Sequence, residues 1–233
     1  MNKSELAKLA EIEEHHWWFV ERRHLLRNWA KQISKDARVF DIGAGAGRQA
    51  LLIKNEFGLD ITALEFSDFG YWECQKLGLK AIQADATELP CESESTSAII
   101  AMDVLEHIDL DSKALSEFYR ILEKEGKIFI TVPAFHFLWS SHDEAVSHFR
   151  RYSKKELRNK VVSADFKIDK IRYWNSLMFP MAVLQRVLFQ KSSDLNVPTW
   201  LINTICLRVI RMERTSRLIG RLPGTSIIVE AHK

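Results

Sequence analysis

Phe40-Asp41-Ile42-Gly43-Ala44-Gly45-Ala46-Gly47 is the stretch whose reading decides the fold. Arg38 to Ile42 reads as a short buried strand, and Arg48 to Phe57 has the periodicity of an amphipathic helix, so the glycines occupy a strand-to-helix turn. Glycine there lets the backbone turn tightly and approach a ligand with no Cβ in the way. A dinucleotide fingerprint would read GxGxxG without an acid two residues before its first glycine, whereas this chain has GxGxG with Asp41 in that place. The difference favours a ligand carrying a positive amino or sulfonium group over a pyrophosphate. An ordinary tight turn also uses glycine, so the reading leans on what lies further along.

Outward from that turn, Asp60 to Glu65, Leu79 to Ala84, Ser97 to Met102 and Lys127 to Val132 are short apolar runs that read as strands. Ser67 to Leu77 and Asp111 to Glu123 read as the intervening helices, the latter with Gly126 as its C-terminal stop. Strand and helix alternating in this way give an α/β fold with a doubly wound parallel sheet. Ser153-Lys-Lys-Glu156 has the form of a capping box that starts a further helix. Lys170 to Trp174 and Thr225 to Val229 supply two last strands, and Asn175 to Leu222 between them reads as a helical insertion. The chain is expected to be one domain: an N-terminal helical cap (1–36), a core (37–174), the insertion (175–222) and a final strand (223–233).

With 233 residues, 46% hydrophobic and 27% charged, the chain can bury a core and is not a disordered protein. No apolar run approaches the roughly 18 residues of a membrane span, and the first ten residues carry no signal-peptide h-region. Cys74, Cys91 and Cys206 are far apart and not in CxxC spacing, which fits a reducing compartment; a cytoplasmic location is the expectation. The net charge of +2 is uneven. Residues 37–150 carry 10 basic and 19 acidic residues, and residues 151–233 carry 16 and 6, so the two halves should suit different partners.

Three more acids stand at the ends of the next three strands, where an open sheet of this kind places its ligand crevice. Glu65 can accept both hydrogen bonds of a ribose diol. Asp85 can accept from an exocyclic adenine amine, with the Ala86 N–H facing a ring nitrogen. Asp103 ends the fourth strand. One acid after a strand is ordinarily a turn former or helix cap; four in series point to a site.

These residues resemble the class I S-adenosylmethionine-dependent methyltransferases across most of Arg38 to Phe166. Asp41-Ile-Gly43-Ala-Gly45-Ala-Gly47 is similar to their first motif, Glu65 with Phe66 to the ribose-binding acid and its neighbour, and Asp85-Ala86 to the adenine contact. Asp103-Val-Leu-Glu-His107 resembles the fourth motif of ubiquinone-biosynthesis-type members. The resemblance implies a Rossmann-like sheet, mostly parallel with an antiparallel last strand. It also implies S-adenosyl-L-methionine lying across the strand ends as methyl donor.

Methyl transfer from a sulfonium needs alignment of the nucleophile and exclusion of water, and a hydroxyl or acidic carbon acceptor also needs a base. The segment after the fifth strand, Phe135-His136-Phe137-Leu-Trp139-Ser-Ser-His142-Asp143 and then His148-Phe-Arg150-Arg151-Tyr152, offers candidates. It resembles the loop of a subgroup associated with cell-envelope polysaccharide or lipid-linked sugar metabolism. His142 is the first candidate base, His148 the second, and Asp143 either fixes a histidine or arginine or takes part directly. Arg150 and Arg151 are candidates to clamp an anionic acceptor. A metal bound by His136, His142, Asp143 and His148 is set aside, because no pair has zincin spacing and the reaction requires no Lewis acid. At the N-terminus Trp18 and Arg22 are four apart on one helix face, which brings Arg22 toward the donor's carboxylate.

In the insertion, Leu177 to Phe189 is apolar nearly all round. In its second helix one side gathers Trp200, Leu201, Ile202, Ile205, Cys206, Val209 and Met212, while Arg208, Arg211, Arg214, Arg217 and Arg221 sweep the other. Such a basic amphipathic helix suits an anionic lipid surface; it equally suits a lid or a dimer interface. The expected acceptor is therefore a small molecule or a lipid- or sugar-linked anionic one, with peripheral membrane contact. A nucleic-acid methyltransferase is the alternative that the basic C-terminal third suggests, but no Asn-Pro-Pro-Tyr-type motif grips a flipped base here. A noncatalytic cofactor-binding scaffold is the other alternative, and the intact donor acids oppose it.

Overall fold

The structure, a computed structural model, describes residues 15–188, 199–214, 219 and 222–233. Helix α1 (Trp17–Ala30) is followed by β1 (Arg38–Ile42), α2 (Arg48–Phe57), β2 (Asp60–Glu65), α3 (Asp68–Lys76) and β3 (Lys80–Gln83). Next come β4 (Thr96–Met102), α4 (Asp111–Ile121), β5 (Leu122–Pro133) and the short α5 (Ser141–Ala145). The chain continues through α6 (Lys154–Ser163), β6 (Lys167–Trp174), α7 (Phe179–Val183), α8 (Trp200–Glu213) and β7 (Ser226–His232).

The strands form one seven-stranded sheet in the order β3-β2-β1-β4-β5-β7-β6. β7 alone runs against the others, and it sits between β5 and β6. The expected mostly parallel sheet with an antiparallel last strand is therefore present. Alternate residues of β4 serve opposite faces. Ile99 and Ala101 join Ile42, Leu64, Leu115 and Phe118 in one core layer, while Ala98, Ile100 and Met102 join Val39, Ala50, Ile53 and Ile61 in the other. Trp29 of α1 stacks on Phe129 of β5 with ring centroids 5.4 Å apart, which fixes the N-terminal helix to the second layer.

Local signals explain the helix starts. Ser67 Oγ accepts from Gly70 N at 3.1 Å, and the capping box at Ser153 and Glu156 is formed in both directions. The helix end expected at Gly126 is corrected: α4 stops at Ile121, and Gly126 lies inside β5. Leu122 is already extended and pairs with Thr96, and Glu125 takes the left-handed turn at φ 59°. Gly126 is there for close approach, since a Cβ would stand 2.7 Å from Leu122 Cγ.

The insertion is helical in its described parts, with α7 running into a π-helical turn at Leu184–Leu188; Phe189, Arg217 and Arg221 lie outside the described residues. α8 packs along α1. Asn203 bridges them, accepting from Trp17 N at 2.9 Å and donating to His15 O at 2.9 Å, and buried Glu21 pairs with Arg211 and Arg214. Two arginines of the basic sweep thus pair with the N-terminal helix. At the end of α8, buried Glu213 accepts from the backbone N–H groups of Asn175 at 2.9 Å, Ser176 at 2.8 Å and Leu177 at 3.4 Å. That carboxylate replaces the sheet hydrogen bonds the chain loses as it leaves β6. Glu213→Ala leaves these buried donors unpaired and should cost about 2 kcal/mol in a denaturant titration, with Glu213→Gln, which keeps one acceptor oxygen, costing less.

Candidate active site

Strand order reverses at β1: β2 lies on one side and β4 on the other. The chain leaving β1 enters α2 on one face of the sheet, and the chain leaving β4 enters α4 on the other, so a crevice opens between their ends. Asp41, the penultimate residue of β1, is only 5% exposed there. Gly43, Gly45 and Gly47 all have positive φ, at 69°, 57° and 75°. A Cβ at Gly43 would meet Val104 Cγ2 at 2.5 Å, and one at Gly47 would meet Cys74 Sγ and Leu79 Cδ1 at 2.8 Å; at Gly45 it would meet nothing among the described residues within 4 Å. Two of the glycines are thus needed for packing, while the middle one borders open space.

Glu65 closes one side of this space. Its Oε2 accepts from Gly45 N at 2.9 Å, and its Oε1 accepts from Ser67 N at 3.0 Å and Ser67 Oγ at 2.7 Å. Phe66 beside it is 70% exposed. Gly70 is a further requirement that the sequence reading missed, since its Cβ would lie 2.6 Å from Glu65 Cγ and 2.7 Å from Gly45 O. Asp85 Oδ1 accepts from Thr87 N and Thr87 Oγ1, both at 2.8 Å, which sets the turn that carries Ala86. The field in the crevice is negative: burial first, then Asp41 and Glu65, push the Cys74 thiol up to about 12.

On the other side of the crevice Asp103 holds a left-handed φ of 56°, strained for a residue with a Cβ. Arg22 Nε lies 3.0 Å from Asp103 Oδ2, and Arg22 Nη2 donates to Met102 O at 2.6 Å. Its guanidinium stands over the Trp18 ring at 5.3 Å, as the four-residue spacing of the pair requires.

Residues 40–130 match the family model described as a methyltransferase domain. Over that segment the chain is similar to methyltransferases. An uncharacterized protein of Methanocaldococcus jannaschii is 32% identical over 149 residues, covering 62% of this chain and 60% of that protein. The O-methyltransferase resE of Aspergillus sclerotiorum is 28% identical over 121 residues, 48% of this chain and 46% of its own. The chain thus spans three-fifths or less of the length of these curated relatives. Among solved structures, a SAM-dependent methyltransferase from Archaeoglobus fulgidus superposes with a TM-score of 0.65 at 18% identity, covering 97% of this chain and 99% of that one, which shows a shared fold.

The loop after β5 folds around Asp143, which is fully buried. Its Oδ1 takes His148 Nδ1 at 2.9 Å and Arg151 Nη2 at 2.7 Å, and its Oδ2 accepts from Ser140 N at 2.9 Å and faces Arg186 Nη1 at 3.3 Å. Burial alone would raise the Asp143 carboxyl; His148, Arg151 and Arg186 together hold it well below the ordinary carboxylate range. Arg186 comes from the insertion and also donates to Leu138 O at 2.7 Å, so the insertion is tied directly to this loop. His142 is not in contact with Asp143 as His148 is; its ring lies 6.5 Å from that of His148, and burial with Arg186 nearby lowers its pKa to about 4.

Other residues of the loop take structural places. Arg151 is 4% exposed and spent on Asp143, and Arg150 pairs with Asp109 at 3.0 Å and Asp111 at 3.3 Å, so neither is the anion clamp expected from sequence. Tyr152 donates to Asp111 at 2.8 Å, and exposed His136 meets Glu156 at 2.9 Å. Three residues that the sequence reading gave no role stand beside the Asp143–His148 pair: Glu106, His107 and Arg186. The first two sit inside the Asp103-Val-Leu-Glu-His107 motif, where their type was visible and their partners were not.

Proposed function

We propose that the protein transfers a methyl group from S-adenosyl-L-methionine to a small-molecule or lipid- or sugar-linked anionic acceptor at a membrane surface. The observation that carries the donor half is the open space at Gly45, bordered by Asp41 and Glu65 in a negative field. A sulfonium with an α-amino group is positive, and it suits this cradle where a pyrophosphate would be repelled. When bound, the donor supplies an electrophilic methyl carbon, and the chain's task is to align the acceptor behind it and keep water out. Asp41 suits the donor's amino end and Glu65 the ribose, each of whose carboxylate oxygens can accept more than one hydrogen bond. Phe66 offers a face to the adenine, with Asp85 and the Ala86 N–H at its edge. Arg22, beside Asp103, has N–H groups beyond those on Nε and Nη2 to offer the donor's carboxylate.

Calorimetry tests this half. The wild type should bind S-adenosylmethionine and its demethylated product, and Gly45→Leu should lose binding by roughly 100-fold or more while keeping its circular dichroism spectrum. Tight NAD binding with no heat from either sulfur compound would overturn it.

The acceptor half is supported by two surfaces. A cleft of about 470 Å³ is lined by Ser153, Lys154, Lys155, Arg158 and Tyr173, cations beside an aromatic ring at the C-terminal end of the edge strand β6. On α8, Leu201, Ile202, Ile205 and Met212 are each more than half exposed, as is Met181 of α7, while Cys206 and Ile210 turn inward. An exposed apolar stripe with Arg208 at its border matches an interfacial helix. Among the described residues no helix is long and apolar enough to cross a membrane. In flotation assays the protein should rise with phosphatidylglycerol vesicles and stay down with phosphatidylcholine. The triple change Leu201→Ser, Ile205→Ser, Met212→Ser should abolish the rise, at little cost in stability because these side chains are exposed. Sedimentation with every vesicle would remove the membrane from the proposal.

A further inference from the structure

Immediately after β4 the chain makes a 3-10 turn, Leu105–His107, which presents Glu106 and His107 to the His148 ring. One donor atom from each of Glu106, His107 and His148 lies within 4.8 Å of the other two. Glu106 is 1% exposed, and its Oε2 has no hydrogen-bond partner among the described residues. A buried carboxylate oxygen left without a donor costs free energy unless a cation or proton sits on it. Its Oε1 is 3.9 Å from His148 Nε2, beyond hydrogen-bond length but short enough for both atoms to share an ion.

The imidazoles are held as ligands are held. His148 gives its Nδ1 to Asp143 at 2.9 Å, and because that carboxylate is ionised the proton sits on Nδ1 and the lone pair on Nε2 points toward Glu106. A carboxylate behind a histidine, fixing tautomer and ring plane, is the usual outer partner of a metal-bound imidazole. His107, half-buried, stands beside His148. The rings meet edge to face at 4.6 Å.

From this geometry we infer that Glu106, His107 and His148 bind a first-row divalent transition-metal cation. Two imidazoles and one carboxylate suit Mn²⁺, Fe²⁺, Co²⁺ or Zn²⁺ better than Mg²⁺ or Ca²⁺, which prefer all-oxygen shells. Donor atoms around such a cation, at ~2.1 Å from it, stand about 3.5 Å apart, so the three must close by roughly an ångström, within reach of small side-chain rotations. The set differs from the one that the sequence analysis set aside: Asp143 is an outer partner, His136 is remote on Glu156, and only His148 is common to both. Three protein ligands leave coordination positions open, and an acceptor oxygen is the group that would fill one. That role rests on the proposed methyl transfer; the binding itself does not.

The test is titration of the metal-free protein with Co²⁺, followed by visible absorbance and by calorimetry with Zn²⁺. One equivalent should bind with ligand-field bands typical of mixed nitrogen and oxygen ligation. Glu106→Gln, which keeps the side-chain shape, and His148→Gln should each weaken binding at least 10-fold while their melting curves show a folded protein. Absence of stoichiometric binding in the wild type, or unchanged affinity in both variants, overturns the inference. Donor binding measured on the same samples reports separately on the methyl-transfer reading, so either can fail without the other.

Discussion

β4 pairs with the edge of β1 opposite to β2, and this forces the chain segments leaving β1 and β4 onto opposite faces of the sheet. Neither segment can fill the space between the two strand ends. The crevice is therefore a consequence of strand order rather than of any side chain, and the residues around it matter for what they put into a gap that already exists. Asp41 brings charge, Gly45 keeps the floor open, and Glu65 with Gly70 holds the loop from the β2 side. Across the gap, Arg22 and Asp103 join the N-terminal helix to the end of β4.

The second organising group is Asp143. A fully buried carboxylate is tolerated only with its charge matched, and here Arg151, Arg186 and His148 converge on it. Through those contacts one side chain ties the loop after β5 to the insertion and sets the tautomer of His148. α7 and its π-helical extension carry Arg186 into the loop.

What could be read from the sequence follows a physical divide. Features that depend on neighbours in the chain were legible: the strands from β1 to β5, the Ser153 capping box, the glycine turn and the acids at strand ends all rest on spacings of a few residues. Features set by distant partners were not. Gly126 reads as a helix stop, yet it serves close packing on Leu122 in β5. Arg150 and Arg151 read as free cations because Asp109, Asp111 and Asp143 are brought to them only by folding. α8 shows the same limit in reverse. Leu201, Ile202, Ile205 and Met212 are exposed on the expected apolar side, but Cys206 of that side is buried, and Arg211 and Arg214, though exposed, pair with Glu21 of α1. Glu106 and His107 were visible as residue types, while their approach to His148, some forty residues on, depends on the bridge between Ala134 and Tyr152 that closes the loop.

Methyl transfer in this crevice is tested most directly by incubation of the protein with S-adenosylmethionine and a lipid extract, followed by mass spectrometry of the extract. A species heavier by about 14 Da, one CH₂, should form with the wild type and be absent with Gly45→Leu. An extract that gains no such species with a protein that binds the donor would contradict a lipid-linked acceptor. The same species formed equally by the wild type and Gly45→Leu would contradict the crevice as the place of transfer.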